Sequence, residues 1–259
     1  MPFTLAHPAA VLPLARTKLV FSALVAGALA PDIGYFVRFT SGHGESHSLA
    51  GLFWFCLPAG FLILLLFQML LKRPLLALFP ASHQARLYPY AQGFHFAPAS
   101  RFGLILLSLL IGSATHLLWD SFTHNTGWAV KAFPGLTMPL LVIHDEPIRT
   151  YKLLQHGSSV LGLIALGVAY FVWLRGAEPS QVRLAKLSSV WKAAIATAMT
   201  AGACAAALWR TVPPLIAWET VRTNVVNGGI AFVTAFVAEA ILFSLVWRFL
   251  RNQPDEPVR

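Results

Sequence analysis

Phe102-Gly103-Leu104-Ile105-Leu106-Leu107-Ser108-Leu109-Leu110-Ile111-Gly112-Ser113-Ala114-Thr115-His116-Leu117-Leu118-Trp119-Asp120-Ser121-Phe122-Thr123-His124 is the stretch on which the reading of this chain turns. Its first part is an apolar run, and about 20 such residues make a helix that crosses a bilayer. Its last part, Thr115 to His124, carries two histidines and an aspartate. On a helix, His116 and Asp120 stand one turn apart on one face, and His124 follows roughly 80° round from His116. Such side chains at the end of a membrane helix are costly unless paired, hydrated or bound to a cation. The stretch therefore predicts a membrane helix with a polar site at one end.

The whole chain agrees with that reading. It has 259 residues, of which 57% are hydrophobic and only 11% charged. Soluble domains carry about 25% charged residues. The formal net charge of +9 is spread over short loops, which suits membrane loops better than a nucleic-acid surface, so no nucleic-acid partner is expected. Cys56 and Cys204 both lie in apolar runs and read as packing residues rather than a disulfide or a thiolate metal site.

Taken in order, residues 7–16 and 18–30 read as two short helices with a basic turn, Arg16 and Lys18, between them. Each is too short to span a bilayer, and a re-entrant or half-buried hairpin would return His7 to the level of Asp32; the alternative, one span from Leu12 to Ala30 with Arg16 and Lys18 inside it, costs more. Ala28-Leu29-Ala30 looks like a signal-peptidase box, but Pro31 follows it, and residues 1–30 are expected to stay in the mature chain. Leu49–Leu71 is a first span with Ser48 as N-cap. Residues 72–101 read as a polar loop, and Phe102–Phe122 as the second span. Residues 125–152 read as a loop, because Pro134, Pro139 and Pro147 argue against a continuous helix. Leu153–Leu174, Trp191–Trp209 and Gly228–Phe249 complete about five spans, and 252–259 reads as a disordered tail. The expected fold is an all-α polytopic membrane helix bundle, one domain over 1–251, with an N-terminal helical hairpin.

Loops 72–101 and 175–192 and the C-terminal end from Arg248 onward hold eleven Lys and Arg, the opposite loops six. The positive-inside rule makes the first set cytoplasmic. That places Asp32, His47, His116, Asp120, His124 and His156 near the extracytoplasmic surface, and the charge count did not use those residues.

Seven residues thus form the candidate metal set: His7, Asp32, His47, His116, Asp120, His124 and His156. Histidine with carboxylate suits zinc and related cations. Seven ligands are too many for one tetrahedral ion and fit two, or three, with Asp120 able to bridge. Asp32 and Asp120 are the expected catalytic carboxylates in a reaction where activated water attacks an ester or phosphoester. Each residue also has a structural reading: His116 with Asp120 as a hydrogen-bonded lock between helices, Asp32 as a helix-end residue, His47 as a helix-start residue, His124 as an interfacial side chain. His43 and Glu45 read as solvated. His144-Asp145-Glu146 reads as a turn that could add a ligand, while His83 and His95 fall on the cytoplasmic side.

Met1-Pro2-Phe3-Thr4 running into His7-Pro8-Ala9-Ala10, then Pro31-Asp32, His47-Ser48 and Thr115 to His124, resemble an uncharacterised bacterial family of small integral membrane proteins. That family is similar to the membrane-bound predicted metal-dependent hydrolases. The ligand order also resembles that of the zinc-dependent phospholipase C and P1 nuclease superfamily, all-helical enzymes with three zinc ions. That resemblance implies one metal held by Asp32, His47, His116 and Asp120, a second shared between Asp120 and His7, and a third on His124 and His156. The superfamily has a Glu four residues after its last His, where this chain has Val160, so two ions are the better expectation. It further implies a hydrolase of the bacterial cytoplasmic membrane acting on a phospholipid or lipid-linked phosphate, with Arg38, Lys131, Arg149 and Lys152 on the site's side as phosphate-binding candidates. The competing reading is a non-enzymatic membrane protein: a metal or proton transporter, or a structural bundle with a buried His/Asp network. A transporter would place its polar residues near mid-membrane, often in repeated halves. This chain places them at one end and shows no internal repeat.

Overall fold

A computed structural model describes residues 3–38, 45–143, 146–181, 187–211 and 218–250. The all-α class is as expected. Among the described residues, five helices are long and apolar enough to cross a membrane, which makes this a multi-pass membrane protein. The chain divides into two compact units, the first built from 1–33, 44–64 and 96–175, the second from 34–43, 65–95 and 176–259.

The first unit begins with tight 3-10 turns over Thr4–Arg16, where Pro8 and Pro13 remove two of the donors an α-helix would need. Helix α1, Phe21–Leu29, follows, and a 3-10 turn over Ala30–Asp32 leads into α2, Ile33–Arg38. The expected hairpin of two short helices is thus present, with its first arm wound more tightly. The first span, α3, runs over Leu49–Leu78 with two π-helical stretches, and Ser48 Oγ caps it by accepting from Gly51 N–H at 2.9 Å. The quoted stretch forms α5, Ala99–Thr123, after α4, Ala81–Ala91.

Two glycines set how α1 meets α5. A Cβ on Gly27 would overlap the carbonyl of Leu109, and one on Gly112 would overlap that of Leu24. Neither helix could come this close with any larger residue at those positions. The small faces touch backbone to backbone, as small residues allow in membrane helices. Val11, Leu24 and Ala28 form the buried apolar core beside this crossing, with Ile111 packed on it. At such range, side chains of α5 reach backbone of α1: Ser108 Oγ accepts from Val20 N–H at 2.9 Å, and Ser113 Oγ donates to Gly27 O at 2.9 Å.

After α5 the chain turns at Gly127, whose Cα packs on the Ser121 carbonyl too tightly for a side chain. It then forms α6, Trp128–Ala132, a 3-10 turn over Pro134–Leu136, and a hairpin of β1, Pro139–Ile143, and β2, Glu146–Arg149. Register pairs Leu141 with Ile148 and Val142 with Pro147. Helix α7, Thr150–Gly176, closes the unit. Prolines did exclude a continuous helix over 125–152, but the segment is structured rather than a loop.

The second unit holds α4, α8, Ser189–Thr211, and α9, Trp218–Leu250. The expected loop 72–101 is mostly helical. Leu76, Tyr88 and Ala91 bury one another there, which gives the polar segment an apolar face to fold on. In the α8–α9 pair, Gly202 leaves the room that the Glu239 carboxyl fills. Cys56 is buried, as expected of a packing residue, whereas Cys204 is exposed. The tail 252–259 lies outside the described residues.

Candidate metal centre

The end of α5 nearest Asp32 supplies the first two residues. His116 and Asp120, one turn apart, bring Nε2 and Oδ2 to 3.3 Å. The α1–α5 crossing supplies the third. Because the helices touch, His116 Nδ1 lies 2.7 Å from the Ala28 carbonyl, four residues before Asp32. Asp32 Oδ1 then stands 3.5 Å from His116 Nε2. His47, in a 3-10 turn just before α3, completes the group, its Nε2 3.3 Å from Asp32 Oδ1 and 3.4 Å from Asp120 Oδ2. These four ligand atoms all lie within 4.8 Å of one another.

The hydrogen-bonding of the rings explains what such a group can hold. A carbonyl only accepts, so the His116 Nδ1 facing Ala28 O carries the proton. Nε2 of the neutral ring is then a lone pair. It is fully buried, faces two carboxylates, and makes no hydrogen bond of acceptable geometry. Lone pairs and carboxylate oxygens aimed at one point are stable only with positive charge between them. A metal ion there would supply it, as a proton on Nε2 would in its absence, and backbone-oriented imidazoles are the usual way a protein presents metal ligands. The residues present therefore fit a cation.

His7 repeats the pattern on the other side of Asp120. Its Nδ1 faces Thr4 O at 3.3 Å and its Nε2 lies 3.1 Å from Asp120 Oδ1. Its ring stacks on that of His116, centroids 3.7 Å apart. His124 arrives at the same oxygen, Nδ1 3.4 Å away, but not as helical periodicity predicts. It is the C-cap of α5, in extended conformation, and its ring folds back over the last turn. His156 lies exposed on α7, apart from these contacts.

Of the three candidate ligands outside the spans, electrostatics leaves Asp32 and His7 open to a cation and sets a proton against it at His47. With no ion between them, a proton on the His116 ring takes that place: burial raises the Asp32 carboxyl, but the charge on His116 and the close His116 and His47 nitrogens outweigh it and hold the group below the usual carboxylate range. Asp32 is thus an anion. Burial, reinforced by the adjacent His116, lowers His7, which keeps it neutral. For His47, burial lowers the ring but contacts with Asp120 and Asp32 raise it above its ordinary value. Protons and metal ions compete for that nitrogen.

One residue of the site had no role in the sequence reading. Thr4 Oγ donates to Asp32 Oδ2 at 2.6 Å, fixing the carboxylate so that Oδ1 faces the rings. Its spacing, one turn before His7, was the available signal. Of the phosphate-binding candidates, Lys131 and Arg149 are exposed and Lys152 half-buried in the first unit, while Arg38 belongs to the second, as do His83 and His95. His43, His144 and Asp145 lie outside the described residues.

No curated protein and no solved structure matches the chain. The hydrolase resemblance accordingly rests on the residues alone. A sequence model of the family described as Domain of unknown function (DUF4184) matches residues 1–245, nearly the whole length, and the chain belongs to that family.

Proposed function

We propose that this protein is a membrane-bound, metal-dependent hydrolase of phosphoesters, with a phospholipid or lipid-linked phosphate as substrate. The observation that carries the reading is the convergence of His47 Nε2, His116 Nε2, Asp32 Oδ1 and Asp120 Oδ2, four of whose separations are 3.3–3.5 Å. A tetrahedral zinc shell with bonds of ~2.0–2.1 Å has ligand separations of ~3.3–3.4 Å. Zinc is the metal we propose for it. The second carboxylate oxygen of Asp120, with His7 and His124, is the proposed place of a second ion, and the third site implied by the superfamily is not part of the proposal.

Held by Asp32, His47, His116 and Asp120, a divalent cation would supply Lewis acidity, the chemistry that makes water nucleophilic near neutral pH and offsets phosphoryl charge. The chain's own residues supply the rest. Asp32 and Asp120 bring two negative charges, and Thr4, Ala28 and Asp120 between them hold each carboxylate and ring in place. Lys131, Arg149 and Lys152 are the cations proposed to bind substrate phosphate. The excess of basic residues on the opposite loops supports a site on the extracytoplasmic side of a bacterial cytoplasmic membrane. Headgroup depth at the end of a span supports a lipid substrate.

Detergent-purified protein is expected to hold at least one, and with both sites filled two, equivalents of zinc by mass spectrometry. Metal-loaded protein is expected to hydrolyse a member of a phospholipid and lipid-phosphate panel, and chelator-treated protein none. A folded wild type that neither contains nor takes up metal would sink the reading, and the His/Asp network would then be a lock between helices. Thr4→Val tests the setting of the site. Losing a partner that orients a ligand costs ~10–100-fold in metal affinity. That loss is expected in a calorimetric zinc titration, with helix content unchanged.

A further inference from the structure

The connection between α5 and α7 carries an apolar surface that nothing among the described residues covers. Leu140, Leu141 and Val142 are consecutive on β1 and are 51%, 56% and 68% exposed. Successive strand residues point to opposite faces, so both faces of this hairpin are apolar and open. Trp128 and Phe133, just before it, are exposed as well. A two-stranded hairpin of this kind is marginal in water, and its open edge is an aggregation hazard there.

Three observations say what covers it. Its ends are continuous with lipid-facing helices: α5 and α6 precede it, and α7 begins at its last residue. Its root is tied to α7, since Thr150 N–H donates to Met138 O at 3.0 Å and Arg149 to Thr137 O at 3.1 Å. The hairpin therefore stays beside the membrane end of that span. Exposed Lys131 and Arg149 flank it, which suits anionic headgroups. The open strand edge fixes the depth. Unpaired backbone groups are expensive in hydrocarbon, so the hairpin cannot sit in the bilayer centre. At the boundary, headgroups and water satisfy the edge while acyl chains cover both faces.

We propose that residues 138–143 and 146–149 form a wedge in the headgroup–acyl boundary of the bilayer, at the end of α5 that carries Asp120 and His124, with lipid on both faces of the paired strands. The inference stands whatever the metal centre does. The test places a nitroxide on each face, Leu141→Cys and Val142→Cys, in Cys204→Ala protein. Cys56 is buried, and unlabelled Cys204→Ala protein checks that it stays unmodified. The labelled proteins, confirmed monodisperse, are reconstituted into vesicles of phosphatidylethanolamine and phosphatidylglycerol. Both labels are expected to be relaxed by oxygen several-fold more than by a water-soluble nickel chelate. Nickel access equal to oxygen access at either position would overturn the wedge in favour of water. An immobilised spectrum with both reagents excluded would overturn it in favour of a second copy or another protein.

Discussion

Asp120→Asn is expected to strip the protein of metal. Asp120 is the residue on which the site converges: Oδ2 faces His47 and His116, Oδ1 faces His7 and His124. The amide keeps the shape but replaces an anion with a weak acceptor and a donor, and the donor would point at one pair of ring nitrogens. Losing a partner that only orients a ligand costs ~10–100-fold in metal affinity. Losing a ligand proposed to touch two ions should cost more than ~100-fold. Metal content should fall from one or more equivalents to near zero at both proposed sites, and any phosphoester hydrolysis with it. Asp120→Ala should do the same with a further loss of stability, since removing one partner of a buried ionic group costs about 3–5 kcal/mol. Full metal occupancy in a folded Asp120→Asn protein would place the ion elsewhere and refute the centre.

The second large effect is expected far from any ligand. Gly27→Leu and Gly112→Leu each put a side chain where the facing helix has its backbone carbonyl. Backbone cannot move aside as a side-chain tip can, so α1 and α5 must separate. The cost should reach the upper end of the ~1–3 kcal/mol typical of overpacking, or exceed it. For a unit of this size that corresponds to a fall of roughly 6–12 °C in the unfolding midpoint. Metal should be lost too, because separation breaks the His116–Ala28 bond and draws Asp32 away from Asp120. Gly103→Leu, on the same α5 helix with open space around it, is the control and should leave both midpoint and metal content unchanged. A Gly27→Leu protein as stable and metal-replete as the control would show that the two helices do not touch as described.

The same crossing shows where sequence reading stopped. His116 and Asp120 were legible because four residues on a helix is a fixed geometry, and the structure keeps it. Asp32 and His47 were legible as ligand types at one level of the membrane, ordered by charge counts that ignore them. Their meeting at 3.3–3.5 Å was not, since it depends on Gly27 and Gly112, which carry no chemistry and read only as apolar filler. His124 comes close to Asp120, but not by the geometry that was expected. Helical periodicity placed it, but the helix ends one residue earlier and the cap conformation aims its ring. His156 fits the ligand order yet lies exposed, because linear order constrains which residues exist and not which face of α7 they take.

What the sequence by itself determined was the membrane class, the five spans and the ligand-rich end of α5, because these follow from local apolar length and helical period. What only the tertiary structure decided was which candidate ligand residues come together, that Thr4 holds Asp32, and that β1 pairs with β2. Those depend on distances between segments far apart in the chain. Such distances are set by close backbone approach and by hydrogen bonds to carbonyls, which every residue type offers alike.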